Sequence, residues 1–274
     1  MSLNDLGYGI INETIAAIRT KPDGESSLAD EGLFGMVVKL INLENNEWYY
    51  IETHYKYRGY IHKDDLIVDN GRAMAWREKA KHFIVHPIVD VMKDPNYQNY
   101  AIKLLVKGSS IQTTEKRVEG WIEIVLPDLK KGWVKEKYIQ KKMISNLTID
   151  EKVIRKSIVE TAYGYLGTQY RWGGKSPLGI DCSGLCSIAY MLNGITIWRD
   201  AELKEDCMRE INRENMKKGD LLFYKDHVAM YIGDDKVIHS ASSKSGVVIN
   251  SLNKKDEDYN EFLDKNIISI GTIF

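Results

Sequence analysis

The stretch Gly179-Ile180-Asp181-Cys182-Ser183-Gly184-Leu185 decides how this chain is read. Leu185, Ile188, Ala189 and Leu192 follow at i, i+3, i+4 and i+7, the spacing of one buried helix face, and Gly194 is placed to stop the helix. The helix therefore begins at about Cys182. A cysteine there sits among N–H groups that lack intrahelical partners, at the positive end of the helix dipole, and both effects favour thiolate over thiol. Two histidines, His227 and His239, follow on what reads as a β-hairpin. A thiol with a histidine in reach has the parts of a cysteine nucleophile and its general base.

Upstream of this stretch, Thr148-Ile149-Asp150-Glu151 fits a capping box with Thr148 as the N-cap. Ile154, Ile158, Ala162 and Tyr165 then form one helical face, which Gly167 is placed to end. The loop Tyr170-Arg171-Trp172-Gly173-Gly174 leads to the cysteine helix. Downstream, Leu221–Tyr224, His227–Ile232, Lys236–Ser240 and Val247–Ser251 read as strands of an antiparallel sheet. Two helices followed by several strands make an α+β domain. With Gly233-Asp234-Asp235 as the hairpin loop, Ile232 faces Lys236 and Ala229 faces His239. His227 and His239 then share a face on a diagonal, with Cα atoms roughly 7–8 Å apart. A one-residue slip would separate them, so the functional reading makes a definite structural demand.

In such an arrangement Cys182 attacks a carbonyl, His227 carries the proton to the leaving amine, and His239 orients His227. The Cys182 backbone N–H and the Tyr170 hydroxyl are the candidate oxyanion donors. A competing reading is a Cys2His2 zinc site from Cys182, Cys186, His227 and His239, although known zinc modules usually pair cysteines across a knuckle. Cys186 and Cys207 otherwise read as small buried hydrophobes. Asp181 can serve as a helix N-cap or as a substrate carboxylate, and the two roles are compatible.

The first half of the chain contains a repeat. At an offset of 73 residues Trp48 falls on Trp121, Ile51 on Ile124, Gly59 on Gly132, Tyr60 on Trp133, Ile61 on Val134 and Leu66 on Ile139. Upstream, Gly35 falls on Gly108 and Val38 on Ile111. Each copy reads as short strands, in the first copy Met36–Leu43, a turn at Glu44-Asn45-Asn46, Trp48–Thr53 and a last strand from Gly59. The expected organisation is two small β-barrels, residues 1–70 and 71–142, followed by the α+β domain over 143–274. The segment Asn70 to Lys81 joins the copies, and Lys141 to Asn146 leads out of the second. Trp48, Tyr49, Tyr50, Tyr55, Tyr57 and Tyr60 read either as barrel core and rim or as a ligand groove.

Composition narrows the class. Lys plus Arg number 38 against 39 Asp plus Glu, so a net charge of −1 gives no argument for nucleic acid or an anionic membrane. Three cysteines in 274 residues make no disulfide framework. The start, Met1 to Leu6, shows neither a basic nor an apolar leader segment, and the expectation is a cytoplasmic protein; a cell-envelope or secreted location is the alternative if a signal peptide precedes this sequence.

Five motifs in order, Tyr170–Gly174, Asp181–Leu185, Gly219-Asp220-Leu221-Leu222-Phe223, His227–Gly233 and Ile238-His239-Ser240, closely resemble the NlpC/P60 cysteine peptidases. The repeated pattern of the first half resembles bacterial SH3-like (SH3b) domains. Together they resemble the γ-D-glutamyl-L-diamino acid endopeptidases of the dipeptidyl-peptidase VI type. The resemblance implies a papain-like catalytic domain, a Cys182–His227–His239 triad and no cofactor. It implies a murein peptide substrate, L-Ala-γ-D-Glu-diamino acid, cut before the diamino acid during cell-wall recycling. It assigns Asp181 and Ser183 to the substrate's α-ammonium group, Arg199 and Asp200 to further substrate contact, and Trp172 to the cleft wall or to packing on the cysteine helix. Ala201 stands where that group often has a serine. Tyr57 is the candidate to close the amine pocket. A secreted hydrolase whose SH3b domains bind the wall, and an acyltransferase or amidase on the same scaffold, are the alternative functions.

Overall fold

A computed structural model describes residues 6–143 and 150–274 and divides into two units, Met1–Lys142 and Met143–Phe274. In the first unit seven strands, β1 (Tyr8–Ile11), β2 (Ile15–Arg19), β3 (Leu28–Leu33), β4 (Val37–Glu44), β5 (Trp48–Glu52), β6 (Arg58–His62) and β7 (Leu66–Val68), form one antiparallel sheet. Its order is β3-β2-β6-β5-β4-β1-β7. After a helix, α1 (Asn70–Lys79), come β8 (His82–Ile84), β9 (Ile88–Met92), β10 (Ala101–Val106), β11 (Ser110–Val118), β12 (Trp121–Val125), β13 (Lys131–Lys135) and β14 (Ile139–Lys141). Their order, β10-β9-β13-β12-β11-β8-β14, repeats the first.

The offset read from the sequence thus carries through strand by strand, because equivalent residues fill equivalent core positions. Ile11, Ile18, Val38, Ile51 and Ile61 lie in the first core, and Ile84, Val91, Ile111, Ile124 and Val134 in the second. Asn45 and Asn46, with φ of 52° and 57°, turn the first copy's central hairpin, and Glu119 and Gly120, at 47° and 74°, turn the second. Asparagine and glycine tolerate this left-handed backbone. Tyr55 is buried in the first core, and Tyr49 and Tyr57 are half-buried against it.

The segment that joins the two copies is helical. It is the helix α1, capped by Asp69, whose side chain accepts from the Arg72 N–H at 2.9 Å. Only Ala73 and Trp76 of the helix are buried, too little apolar periodicity to announce a helix from sequence. Ile10 and Ala80 complete that small cluster, and the Trp76 indole donates to the Gly35 carbonyl at 2.9 Å.

In the second unit α2 (Glu151–Tyr163) precedes a two-stranded hairpin, β15 (Lys175–Ser176) and β16 (Gly179–Ile180), and then α3 (Cys182–Met191). β17 (Arg209–Glu210), β18 (Leu221–Tyr224), β19 (His227–Gly233), β20 (Lys236–Ala241), β21 (Gly246–Ser251), α4 (Glu261–Lys265) and β22 (Ser269–Thr272) follow. The antiparallel sheet runs β17-β22-β18-β19-β20-β21, and α3 packs on α2, β15, β19 and β20. The α+β architecture matches the expectation, with β17, β22 and α4 added.

Two boundaries differ. Asp150 caps α2, accepting from the Lys152 N–H at 2.9 Å, while the predicted cap Thr148 lies outside the described residues. Helix α2 stops at Tyr163, with Gly164 as its C-cap, so Gly167 lies beyond its end. Its buried face includes Arg155, which donates to Asp220 at 2.7 Å and to Thr272 at 3.1 Å. A charged residue on a core stripe escapes hydrophobic periodicity because its partners come from remote strands.

Gly59 shows how closely the strands of the first unit approach. A Cβ there would lie 2.6 Å from Ile18 Cγ2 and 2.9 Å from the Arg19 carbonyl oxygen, whereas one at Gly24 meets nothing within 4 Å. Gly59→Ala is expected to destabilise the chain by about 1–3 kcal/mol, and Gly24→Ala by less than about 0.5 kcal/mol. Urea unfolding of both variants checks this; equal midpoints would overturn the packing argument.

Candidate active site

The site is built on Asp181. Its backbone is extended, and its side chain caps α3 by accepting from the Gly184 N–H at 2.6 Å. The other carboxylate oxygen accepts from the Gly173 N–H at 2.8 Å. Arg199, 1% exposed, completes the arrangement by donating to both oxygens at 3.0 Å and to the Ser183 hydroxyl oxygen at 2.8 Å. A bidentate guanidinium–carboxylate pair is both strong and directional. Gly184 is required by its surroundings, since a Cβ would fall 2.1 Å from the Gly174 carbonyl oxygen. The glycine-rich loop and the start of α3 are thereby locked together, with Cys182 as the first helical residue.

The electrostatics of the thiol differ from the sequence expectation. Burial, and then the nearby Asp181 carboxylate, push the Cys182 thiol up to about 11, against hydrogen bonds from the Val228 and Ser183 backbone N–H groups and the Arg199 charge. The helix N-terminus does supply donors, but the desolvation cost of a buried thiolate outweighs them. Cys182 therefore rests as a thiol.

The hairpin of β19 and β20 brings the histidines together. Met230 pairs with Ile238 and Tyr231 with Val237, the ladder that sets Ala229 opposite His239 as expected. The turn itself differs: Gly233, not Ile232, faces Lys236, across the two residues Asp234 and Asp235 with φ of 52° and 54°. An irregularity between Tyr231 and Gly233 absorbs the extra residue and preserves the register farther along. His227 Nε2 and His239 Nδ1 lie 2.9 Å apart. His239 Nε2 is 3.0 Å from Asn250 Oδ1, and Asn250 Nδ2 donates to the Asp258 carbonyl at 3.0 Å.

Asn250 is missed by the sequence reading. Val248 pairs with His239, so Asn250, two residues on, shares its face; a register for β21 would have revealed it. Burial, then the charge of His239, holds His227 down to about 4, and burial also lowers His239, against its bond to Asn250.

The other expected residues divide. Tyr170 lies close enough to Cys182 and Asp181 that burial, then their charges, raise its phenol to about 12, leaving a neutral donor. Asp200 and Ser183 line one small pocket together with Cys186, Cys207, Phe223 and Val228. Trp172 is 68% exposed. Arg199 is buried against Asp181. Tyr57 belongs to the first unit. The zinc reading lacks its geometry, since among the described residues no group of three or more His, Cys, Asp or Glu side chains is placed to hold a metal ion.

Two measurements test these electrostatics. The folded values of both histidines lie below the unfolded one, so their contribution to stability is fully present above about pH 6.5 and is lost as pH falls, for His227 as it nears about 4. The thermal midpoint of the wild type is expected to fall more steeply over that window than that of His227→Gln; parallel curves would contradict it. Alkylation of Cys182 by iodoacetamide, followed by peptide mass, is expected to accelerate steadily from pH 7 to pH 10. A plateau near neutrality would instead reveal a thiolate at rest.

Comparison with known proteins agrees with this geometry. The pattern of the NlpC/P60 family matches residues 167–262. Dipeptidyl-peptidase 6 of Lysinibacillus sphaericus is 38% identical over 269 residues, 97% of this chain and 99% of that protein. A gamma-D-glutamyl-L-lysine dipeptidyl-peptidase of Bacillus cereus is 33% identical over 142 residues, 47% of this chain and 41% of its own length. The crystal structure of an NlpC/P60 family protein from Bacillus cereus shares the fold, with a TM-score of 0.81 at 20% identity over 97% of this chain and 99% of that one. With a buried thiol at a helix start, a paired-histidine hairpin and a full-length relative, the chain belongs to the NlpC/P60 family and is a cysteine peptidase.

Proposed function

We infer that the chain hydrolyses the γ-D-glutamyl–diamino acid bond of murein peptides with a free N-terminal L-Ala, releasing L-Ala-γ-D-Glu. The observation that carries this reading is the full-length likeness to dipeptidyl-peptidase 6. Recycling of small wall peptides in the cytoplasm is part of the proposal, as is the reading of residues 1–70 and 71–142 as two SH3b-like domains before a peptidase domain over 143–274. The strand-by-strand repeat of the first unit supports the latter.

In this reading Cys182 Sγ attacks the γ-carbonyl carbon while its proton passes to His227. Negative charge on the former carbonyl oxygen meets the Cys182 backbone N–H and the Tyr170 hydroxyl. His227 then protonates the departing amine of the diamino acid, leaving a thioester on Cys182. A water molecule, deprotonated by His227, attacks the thioester and frees the dipeptide, and His227 returns the proton to the departing Cys182 sulfur. His239 holds His227 in place throughout. The substrate's ammonium group is assigned to Asp181 and Ser183, with Trp172 on the cleft wall. Asp200, which lines the same small pocket as Ser183, is assigned to further substrate contact.

Mass spectrometry of L-Ala-γ-D-Glu-diaminopimelate tests the reading, with the N-acetylated peptide and Cys182→Ala alongside. Release of L-Ala-γ-D-Glu is expected from the free-amine peptide alone, with kcat reduced about 10,000-fold or more in the variant. Equal cleavage of the acetylated peptide would remove the amine pocket and favour a wall hydrolase. No cleavage of either would overturn the substrate assignment.

A further inference from the structure

We propose that Asn250 is a positioning residue that fixes the proton positions of both histidines and leaves the lone pair of His227 on Nδ1, the nitrogen that takes the Cys182 proton in the peptidase reading. This rests on the peptidase reading for its consequence in catalysis, but its geometry stands apart from the choice of substrate.

The Asp258 carbonyl can only accept, so the Asn250 amide must turn its NH2 group towards it, across 3.0 Å. That carbonyl is itself held by the Ser251 N–H at 2.9 Å. Asn250 Oδ1 is then left facing His239 Nε2 at 3.0 Å, and an amide oxygen can only accept. His239 Nε2 therefore carries hydrogen, and in neutral His239 the lone pair sits on Nδ1. Across 2.9 Å from it stands His227 Nε2, which must then be the donor. Neutral His227 keeps its lone pair on Nδ1, the nitrogen left to take the thiol proton. Each proton is placed by the group behind it, and the chain of reasoning begins at an amide that cannot change protonation state.

Without an acceptor at position 250, His239 is released to carry its hydrogen on Nδ1. Two N–H groups would then oppose one another unless His227 also shifted its hydrogen to Nδ1. That tautomer presents a proton, not a lone pair, to the thiol. In a catalytic triad a wrong tautomer abolishes most of the rate even when the geometry survives. The charged and titratable groups beside the pair are Tyr224, next to the His227 ring, and Lys244 near His239, with Lys236 bound to Asp258 at 3.2 Å. None of them replaces a neutral acceptor at His239 Nε2.

The test compares wild type with Asn250→Leu, similar in size but without an acceptor, and Asn250→Asp, which keeps one. Lys236→Met controls for disturbance of the Asp258 turn. Nitrogen-15 NMR of the imidazoles is expected to show hydrogen on Nε2 of both histidines in wild type, Asn250→Asp and Lys236→Met. In Asn250→Leu the hydrogen should redistribute to Nδ1. With the murein tripeptide, kcat/KM should fall roughly 10- to 100-fold in Asn250→Leu, mostly through kcat, the scale at which outer-sphere partners usually act. Alkylation of Cys182 at pH 7 should slow in the same variant. Wild-type tautomers and alkylation in Asn250→Leu, with its fold retained by circular dichroism, would overturn the proposal. A wild-type enzyme that leaves the tripeptide intact while these two signals change as expected would instead remove the substrate reading and leave Asn250 in its role.

Discussion

The ion pair between Arg199 and Asp181 is the constraint on which the catalytic unit depends. Burying either charge alone costs several kcal/mol, and removing one partner of such a pair usually destabilises by about 3–5 kcal/mol. Here the cost is offset because every strong donor or acceptor is used: both carboxylate oxygens meet Arg199, and they also accept from Gly173, Gly184 and Ser183. The pair ties the glycine-rich loop, the first turn of α3 and the segment beyond the helix into one piece. Cys182 is positioned because its neighbours on both sides belong to that network.

The same network sets the charge state of the nucleophile. An isolated helix start favours a thiolate, but this one is buried, and Asp181 adds negative charge one residue away. Both effects exceed the contribution of the backbone donors. The histidines are shifted the opposite way, towards neutrality, by burial. The resting site is thus uncharged at the thiol and at the imidazoles, and its polarity lies in oriented hydrogen bonds that end at Asn250 and the Asp258 carbonyl. A neutral relay avoids the desolvation cost that a buried ion pair would add beside the Arg199–Asp181 pair.

Particular residues show where sequence reasoning succeeds and where it stops. The repeat at 73 residues was legible because equivalent aliphatic residues fill equivalent places in two sheets of the same order. Helix α3 and its first residue were legible because a capping aspartate precedes an apolar stripe. Helix α1 was not, since Ala73 and Trp76 alone are buried on it. The buried places of Arg155 and Arg199 were not legible either, because each sits in the interior opposite an acid that lies far away in sequence.

What the sequence determined by itself was the local order: strands where apolar residues alternate, a helix beginning at Cys182, and two histidines on one face of a hairpin. Those features follow from backbone periodicity and from turn residues, which act over a few positions. Tertiary structure decided everything that depends on burial and on distant partners. It turned Arg199 inward, raised the thiol of Cys182, and set Asn250 behind His239. Desolvation and hydrogen-bond direction belong to the assembled interior, and no stretch of chain carries them alone.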